Sequence, residues 1–482
     1  MNRNNIWIHL GLVAIVVVTA AVLGQIRRWQ SKPFFNVQVE NVGSDSDTPK
    51  QRTKAPMRSH GDSEPEVLVK FRPGVKLAEI QKIAARNNDL IEDNIESVKG
   101  LVAIDDLDGA DMYAVAKQYA AMSELVEYAQ PNDIITLEDP APALSRKDLL
   151  HREPVYNLPN DPQFEDQWAL NNVGKDGGKA NADIGALKAW QKTHGTADVV
   201  VAVLDTGVDY SHTDLAANMW VRPDSIPQYS DDQLGTFNDL QGYDADANAG
   251  DPMDDNGHGT HCSGIIGAEG NNNEGIAGVN WNVEIMPLKF LGRGGYGTTK
   301  DAIEAINYAI DRKQKGVNLR VINASWGSTS YSKALEDAIR AAGENGILFV
   351  AAAGNATTNN DKTPHYPSNY DLPNVISVAS LDRNDALSSF SNYGAKTVHI
   401  AAPGREILST WLGDQYREAS GTSMAAPQVS GVAALIVASE PDISVEKLRE
   451  RILKSVDKID SLNGKVANGG RINAAKAVGI DK

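Results

Sequence analysis

The spacing of hydrophobic and polar residues changes character several times along the chain, and each change marks an element or a boundary. Residues 6–24 (IWIHLGLVAIVVVTAAVLG) carry no Asp, Glu, Lys or Arg over 19 positions, long enough to cross a hydrocarbon layer of about 30 Å. Only Arg3 precedes the run, and Arg27, Arg28 and Lys32 follow it. Val22-Leu23-Gly24 suits a signal peptidase, but the run is long for a signal core and the basic flank behind it is unusual, so residues 1–26 read as a signal peptide or a membrane anchor. Residues 27–64 lose all apolar periodicity and are rich in Ser, Pro and charge, which predicts a disordered tether. Order resumes at Val67 with the strand-like VLVKF. Helical periodicity follows at 76–88, strand-like patterning at 101–105, a second helix at 110–122 and a final extended run at 126–138. That β-α-β-α-β pattern predicts a small α+β unit over 65–139. Pro140, Pro142, Pro154 and Pro159 then punctuate a linker, 140–158.

From residue 159 to 482 the pattern becomes apolar runs alternating with helical ones. Residues 199–204 (VVVAVL), 283–290, 319–325, 346–353, 375–380 and 398–402 are strand candidates. Continuous apolar strands separated by helices predict a mostly parallel sheet covered on both faces, with functional groups at the carboxyl ends of strands.

Composition narrows the function classes. Of 482 residues, 41% are apolar and 23% charged, and the net charge is −17. That acidic balance argues against nucleic acid as the main partner. Its source is local: residues 201–256 hold twelve Asp, no Glu and one Arg. Cys262, the one cysteine, cannot form an intrachain disulfide.

Three motifs carry candidate chemistry. Asp205 follows VVVAVL directly in LDTGVD, which puts a carboxylate at a strand's carboxyl end. His258 lies 53 residues on, in DNGHGTHCSG, and Ser423 a further 165 on, in SGTSMAAP. Taken singly, each has a plain structural explanation: a cap, a core histidine or metal pair, an N-cap serine. Asp205-Thr206-Gly207 is also the signature of aspartic proteases, but no second such tripeptide supplies the paired carboxylate.

Together, in the order Asp, His, Ser, these motifs resemble the subtilisin-like serine proteases, and among them the thermitase-like branch. The resemblance runs from about residue 160 to the C-terminus. It implies a three-layer α/β fold with a mostly parallel sheet, preceded by a small ferredoxin-like α+β prodomain. It implies a serine endopeptidase in which Ser423 is the nucleophile, His258 the general base and Asp205 the group that orients the imidazole, with Asn355 at the end of FVAAAGN as oxyanion donor. Pro427 falls near the first turn of the helix that Ser423 opens. Ser325, Trp326 and Gly327, with Gly295, Tyr296 and Gly297, match the two segments that sandwich an extended peptide, and His365 falls at the floor of the primary specificity pocket.

The resemblance also implies Ca²⁺ as cofactor. Asp161 and Asp214 would supply carboxylates, Asn272 a side-chain oxygen, and Glu269, Glu274 and Ile276 backbone carbonyls. A weaker second site would use Asp244 with Asp251 or Asp254, although Ala247 and Ala249 sit where oxygen donors are expected. Cys262 is implied to pack behind His258 rather than to act as a nucleophile. Residues 65–139 resemble the inhibitory propeptides of the family, with VEYAQPN as the recognisable feature, so maturation would cut between about residues 137 and 159. The implied protein is an exported zymogen, secreted or held at a membrane only through residues 6–24. It would be monomeric, with protein or peptide substrates and its own propeptide as intramolecular inhibitor. A catalytically silent binding protein of the same fold is the alternative.

Overall fold

The run VVVAVL is apolar at every position because both faces of its strand are covered. In the computed structural model, which describes residues 67–138, 158–231 and 233–480, it belongs to strand Gly195–Asp205. Val199, Val201 and Val203 enter one buried cluster, and Val200, Ala202 and Leu204 enter another. Helices His258–Gly267 and Thr422–Ser439 contribute to the first cluster, and helices Thr299–Gln314 and Lys333–Glu344 to the second. Helices, sheet and helices thus form the three expected layers. Thr422–Ser439 is long and apolar enough to cross a membrane, yet it is the buried central helix of this core.

The sheet has nine strands, in the spatial order Val456–Lys458, Gly470–Ile472, Ile400–Pro403, Val375–Leu381, Leu348–Ala352, Leu319–Ala324, Gly195–Asp205, Asn282–Lys289 and Tyr243–Asp244. All pairs are parallel except the first. Each apolar run read as a strand from the sequence lies in it.

Residues 67–138 form a βαββαβ unit whose antiparallel sheet has the order Asp89–Asn94, Leu101–Asp106, Val67–Phe71, Val126–Pro131, with helices Leu77–Arg86 and Met112–Ala120 packed on it. The topology is ferredoxin-like, with one strand more than the hydrophobic pattern showed. The missed strand, Asp89–Asn94 (DLIEDN), is an edge strand with four polar residues of six, and its Leu90 is exposed. The run 126–138 is also two strands rather than one. After Pro131 the chain leaves the small sheet, and Ile134–Thr136 pairs instead with Tyr296–Thr298 of the larger domain.

The small unit caps two helices of the larger domain. Gln130 Oε1 accepts from the N–H groups of Lys333 and Ala334, and Asn132 Oδ1 from Lys300 N. The Asp133 carbonyl takes Thr299 N at 2.9 Å. First-turn N–H groups have no partner inside their own helix, so these bonds complete both helix starts. The expected leader, tether and linker over 1–26, 27–64 and 140–157 lie outside the described residues.

Candidate active site

Strand Gly195–Asp205 delivers Asp205 to its carboxyl end, where Oδ1 lies 2.7 Å from His258 Nδ1. Both side chains are buried. Burial alone would lower the His258 pKa, but the charge and hydrogen bond of Asp205 outweigh it and raise the value above 6.5. The turn before His258 is held by Asp254, which accepts from Thr206 Oγ1, Asn256 N, Gly257 N, Thr260 N and Thr260 Oγ1. Thr206 Oγ1 in turn accepts from Gly259 N, and a Cβ on Gly259 would sit 2.0 Å from the Gly207 carbonyl, so only glycine permits this approach. Buried Lys289 donates to the carbonyls of Thr206 and Leu291 and to Asp255.

His261 does not pair with His258 around a metal. Its Nε2 faces the carbonyls of Ile407 and Arg417, and burial holds its pKa down to about 3. Asp205 faces an imidazole rather than a second carboxylate, which removes the aspartic-protease alternative.

Ser423 stands in the first turn of helix Thr422–Ser439. Its hydroxyl donates to the Ser325 carbonyl at 2.9 Å, while His258 Nε2 has no partner among the described residues, so the bond between candidate nucleophile and base is not made in this state. Such bonds are often loose until substrate is positioned. Pro427 is the sixth residue of this helix, not part of its first turn. It removes the N–H that the Ser423 carbonyl would otherwise accept. Ser325 Oγ at 2.7 Å and Cys262 Sγ at 3.4 Å take that place. Burial pushes the Cys262 thiol well above its usual pKa, so it stays protonated, as a donor and not a nucleophile. Cys262 also sits with Asp205 and His258, their ligand-type atoms within 4.8 Å of one another, so it joins the Asp–His pair to the backbone of Ser423.

Asn355 is oriented by Thr422, whose N–H and hydroxyl both donate to Asn355 Oδ1, at 2.8 and 3.0 Å. That leaves Nδ2 free to donate. A Cβ built on Gly421 would lie 3.4 Å from Asn355 Nδ2 and 3.5 Å from Ser423 N. Both nitrogens therefore border Gly421, and N–H donors beside a nucleophile can stabilise an oxyanion.

The flanking segments form a cleft, and the chain's own residues 134–138 fill it as an added strand. Ile135 is opposite Gly297, Thr136 bridges Gly327, and Leu137 N donates to Gly295 O at 2.8 Å. Ile135 is buried in a recess lined by Trp326, Ser328, Leu335 and Tyr366. Trp326 is fixed by its Nε1–H bond to Leu204 O and by the Phe290 ring, whereas Tyr296 is largely exposed. His365 Nε2 lies 3.1 Å from Glu138 Oε1.

A second cluster lies on the loop 268–278. Asp161 accepts from Asn271 N and Asn272 N, and Asp214 accepts from Asn272 Nδ2 and Ile276 N. Both acids are buried; burial pushes Asp161 up and Asp214 to about 6, with Asp161 adding to the latter. Two like charges drawn from distant segments and short of compensation are what a hard cation satisfies. Asn272 turns its amide nitrogen, not its oxygen, to Asp214, because its oxygen accepts from Glu274 N. The weaker second cation site fails at Asp254, whose oxygens are taken by the five bonds above. Asp251 is bonded by the Tyr210 hydroxyl and Asp244 by Ala247 N.

Sequence reading missed Glu138, Lys289 and Thr422, and the positioning roles of Thr206 and Asp254. For Asp254 a signal was present, since an Asp ahead of Asn-Gly and a helix start is a typical capping pattern. The others act through backbone atoms or across long separations.

A model of the subtilase family (Peptidase S8) matches residues 196–475. The chain is 35% identical to a thermophilic serine proteinase of Bacillus sp. (strain AK1) over 421 residues, 86% of this chain and 87% of that one. It is 37% identical over 321 residues to thermitase of Thermoactinomyces vulgaris, covering 66% of this chain and 99% of the relative. A solved protease of Pseudoalteromonas arctica shares 32% identity at a TM-score of 0.54, covering 66% of this chain and 98% of that structure.

Proposed function

The chain belongs to the subtilase family of serine proteases, and from that premise we propose that it is an exported zymogen whose peptide-bond hydrolysis runs through Asp205, His258 and Ser423. The observation that carries this reading is the 2.7 Å bond between Asp205 and His258 at the end of the central strand. His258, held in orientation by Asp205, takes the Ser423 proton as Oγ attacks the substrate carbonyl. Asn355 Nδ2 and Ser423 N receive the charge that develops on the carbonyl oxygen. His258 then protonates the leaving amine, and a water molecule resolves the acyl-enzyme along the reverse path. The intact set of groups favours this over a catalytically silent binding protein.

Residues 67–138 act as the inhibitory propeptide, since their tail occupies the cleft that a substrate would use. Export follows from the apolar run 6–24. Asp161 and Asp214 would hold Ca²⁺, with Asn272, Glu269, Glu274 and Ile276 as the loop residues around it, and such an ion would neutralise the two buried carboxylates and tie residues near 161 to the core.

A fluorophosphonate probe tests the nucleophile. It should label the processed wild type at Ser423, and Ser423→Ala should lose both label and peptidase activity, the latter by about 10⁶-fold. Peptidase activity that persists in Ser423→Ala would sink the assignment. For the cation, EDTA should lower Tm by several degrees and added Ca²⁺ restore it, whereas a melting curve indifferent to both would remove Ca²⁺ from the account.

A further inference from the structure

We propose that the primary specificity pocket is built for a carboxylate side chain, so that the enzyme cleaves after glutamate and the bond following Glu138 is its own maturation bond. This rests on the protease reading above and adds the substrate class. Along the inserted strand Ile135, Thr136 and Leu137 are matched to Gly297, Gly327 and Gly295 in turn, and Glu138 follows beside Asn355, the proposed oxyanion donor. Its side chain enters the pocket, where the two oxygens find separate donors. His365 Nε2 meets Oε1 at 3.1 Å, and the Asn355 backbone N–H donates to Oε2.

His365 is held in place as a recognition group. Its ring is buried, with side-chain exposure of 5%, and sits between two glycines of the pocket walls. A Cβ on Gly327 would fall 2.1 Å from the ring's Cε1, and one on Gly354 would fall 3.0 Å from Cδ2. Its backbone N–H donates to Asn369 Oδ1 and its carbonyl accepts from Ser368 Oγ, so ring and main chain are both fixed. Nδ1 has no partner, and the carboxylate of Glu138 is the ring's one hydrogen-bonding contact among the described residues. An apolar side chain in this pocket would leave both donors unpaired, and a lysine would oppose them with a third. Glutamine keeps one acceptor but turns an NH₂ group toward the second donor.

Cleavage balances through the groups already described. Ser423 Oγ bonds to the Glu138 carbonyl carbon as its proton moves to His258 Nε2, and the C–N bond breaks as that proton passes to the departing amine. One water then adds to the acyl carbon and returns a proton through His258 to Ser423, leaving a free Glu138 carboxylate.

The test uses processed wild-type enzyme and peptides ending their acyl side in Ile-Thr-Leu-X, with X as Glu, Gln, Phe or Lys. The ratio of kcat/KM for Glu over Gln should be roughly 10- to 100-fold, with Phe and Lys lower still. In His365→Gln the Glu-to-Gln ratio should collapse at least about tenfold, a ratio that stays informative whatever the variant's absolute activity. N-terminal sequencing of the first processed species should begin at residue 139. Equal or better cleavage after Phe or Lys, an unchanged ratio in His365→Gln, or a first cut after a non-acidic residue would each overturn the proposal. No cleavage of any peptide, with no probe on Ser423, would instead overturn the protease reading beneath it.

Discussion

The small unit meets the larger domain in two places that treat interfacial carboxylates in opposite ways. In the cleft, each oxygen of Glu138 has a donor of its own, from His365 and from Asn355 N. On helix Thr299–Gln314, acid faces acid. Glu304 is fully buried and its carboxyl meets that of Asp93, with Lys300 Nζ 3.9 Å from Asp93 Oδ2. Asp231 and Glu96 add further negative charge around them. Burial pushes both carboxyls up, and Asp93 adds to the effect on Glu304. One protonated acid can donate to the other, so a proton belongs to this contact as a donor belongs to the first. Asn307 spans the same surface, accepting from Ser97 N and donating to Glu96. The lesson is that a carboxylate at an interface joins two surfaces only if something compensates it. Here the cleft supplies fixed donors, and the helix face relies on pH.

Two perturbations sharpen the contrast. The larger acts on the cleft: Ile135→Ala removes a fully seated side chain, at a cost of about 2–5 kcal/mol, or roughly 30- to several thousand-fold in hold on the tail. Activity should then appear much sooner after processing; an unchanged lag would mean that the cleft contact contributes little to inhibition. The smaller acts on the helix face. Because both acids are raised in the docked state, docking is strongest where they are protonated and weakens as pH rises through their docked values. Release of residues 67–138 should therefore quicken by about tenfold for each unit by which the docked pKa exceeds the free one. Glu304→Gln should flatten that dependence and slow release at neutral pH, and a pH profile identical to wild type would break the comparison.

The sheet was legible from the sequence because strands covered on both faces need no alternation, and VVVAVL or VISVAS can be little else. Asp89–Asn94 was not, because an edge strand with a polar majority carries no burial pattern to detect. The triad motifs were legible because backbone geometry demands small residues beside each functional group, and those glycines mark the place. Glu138 was hidden. It lies 227 residues from His365, and nothing local separates a strand that stays in its own sheet from one that leaves it. The Asp-rich stretch 201–256 also changes meaning. Asp239 binds Arg222 and Arg312, Asp254 caps the His258 turn, Asp255 pairs with Lys289, and Asp209 and Asp231 hold turns. Much of the local charge is structural and needs neither a cation nor a steering role.

The central claim is that the chain processes itself with Ser423 while its own tail lies in the cleft. An intact-mass time course of purified wild type and Ser423→Ala, followed side by side, tests it most directly. Wild type should convert to a species beginning after Glu138 while Ser423→Ala stays whole. Conversion of Ser423→Ala at the wild-type rate would contradict it.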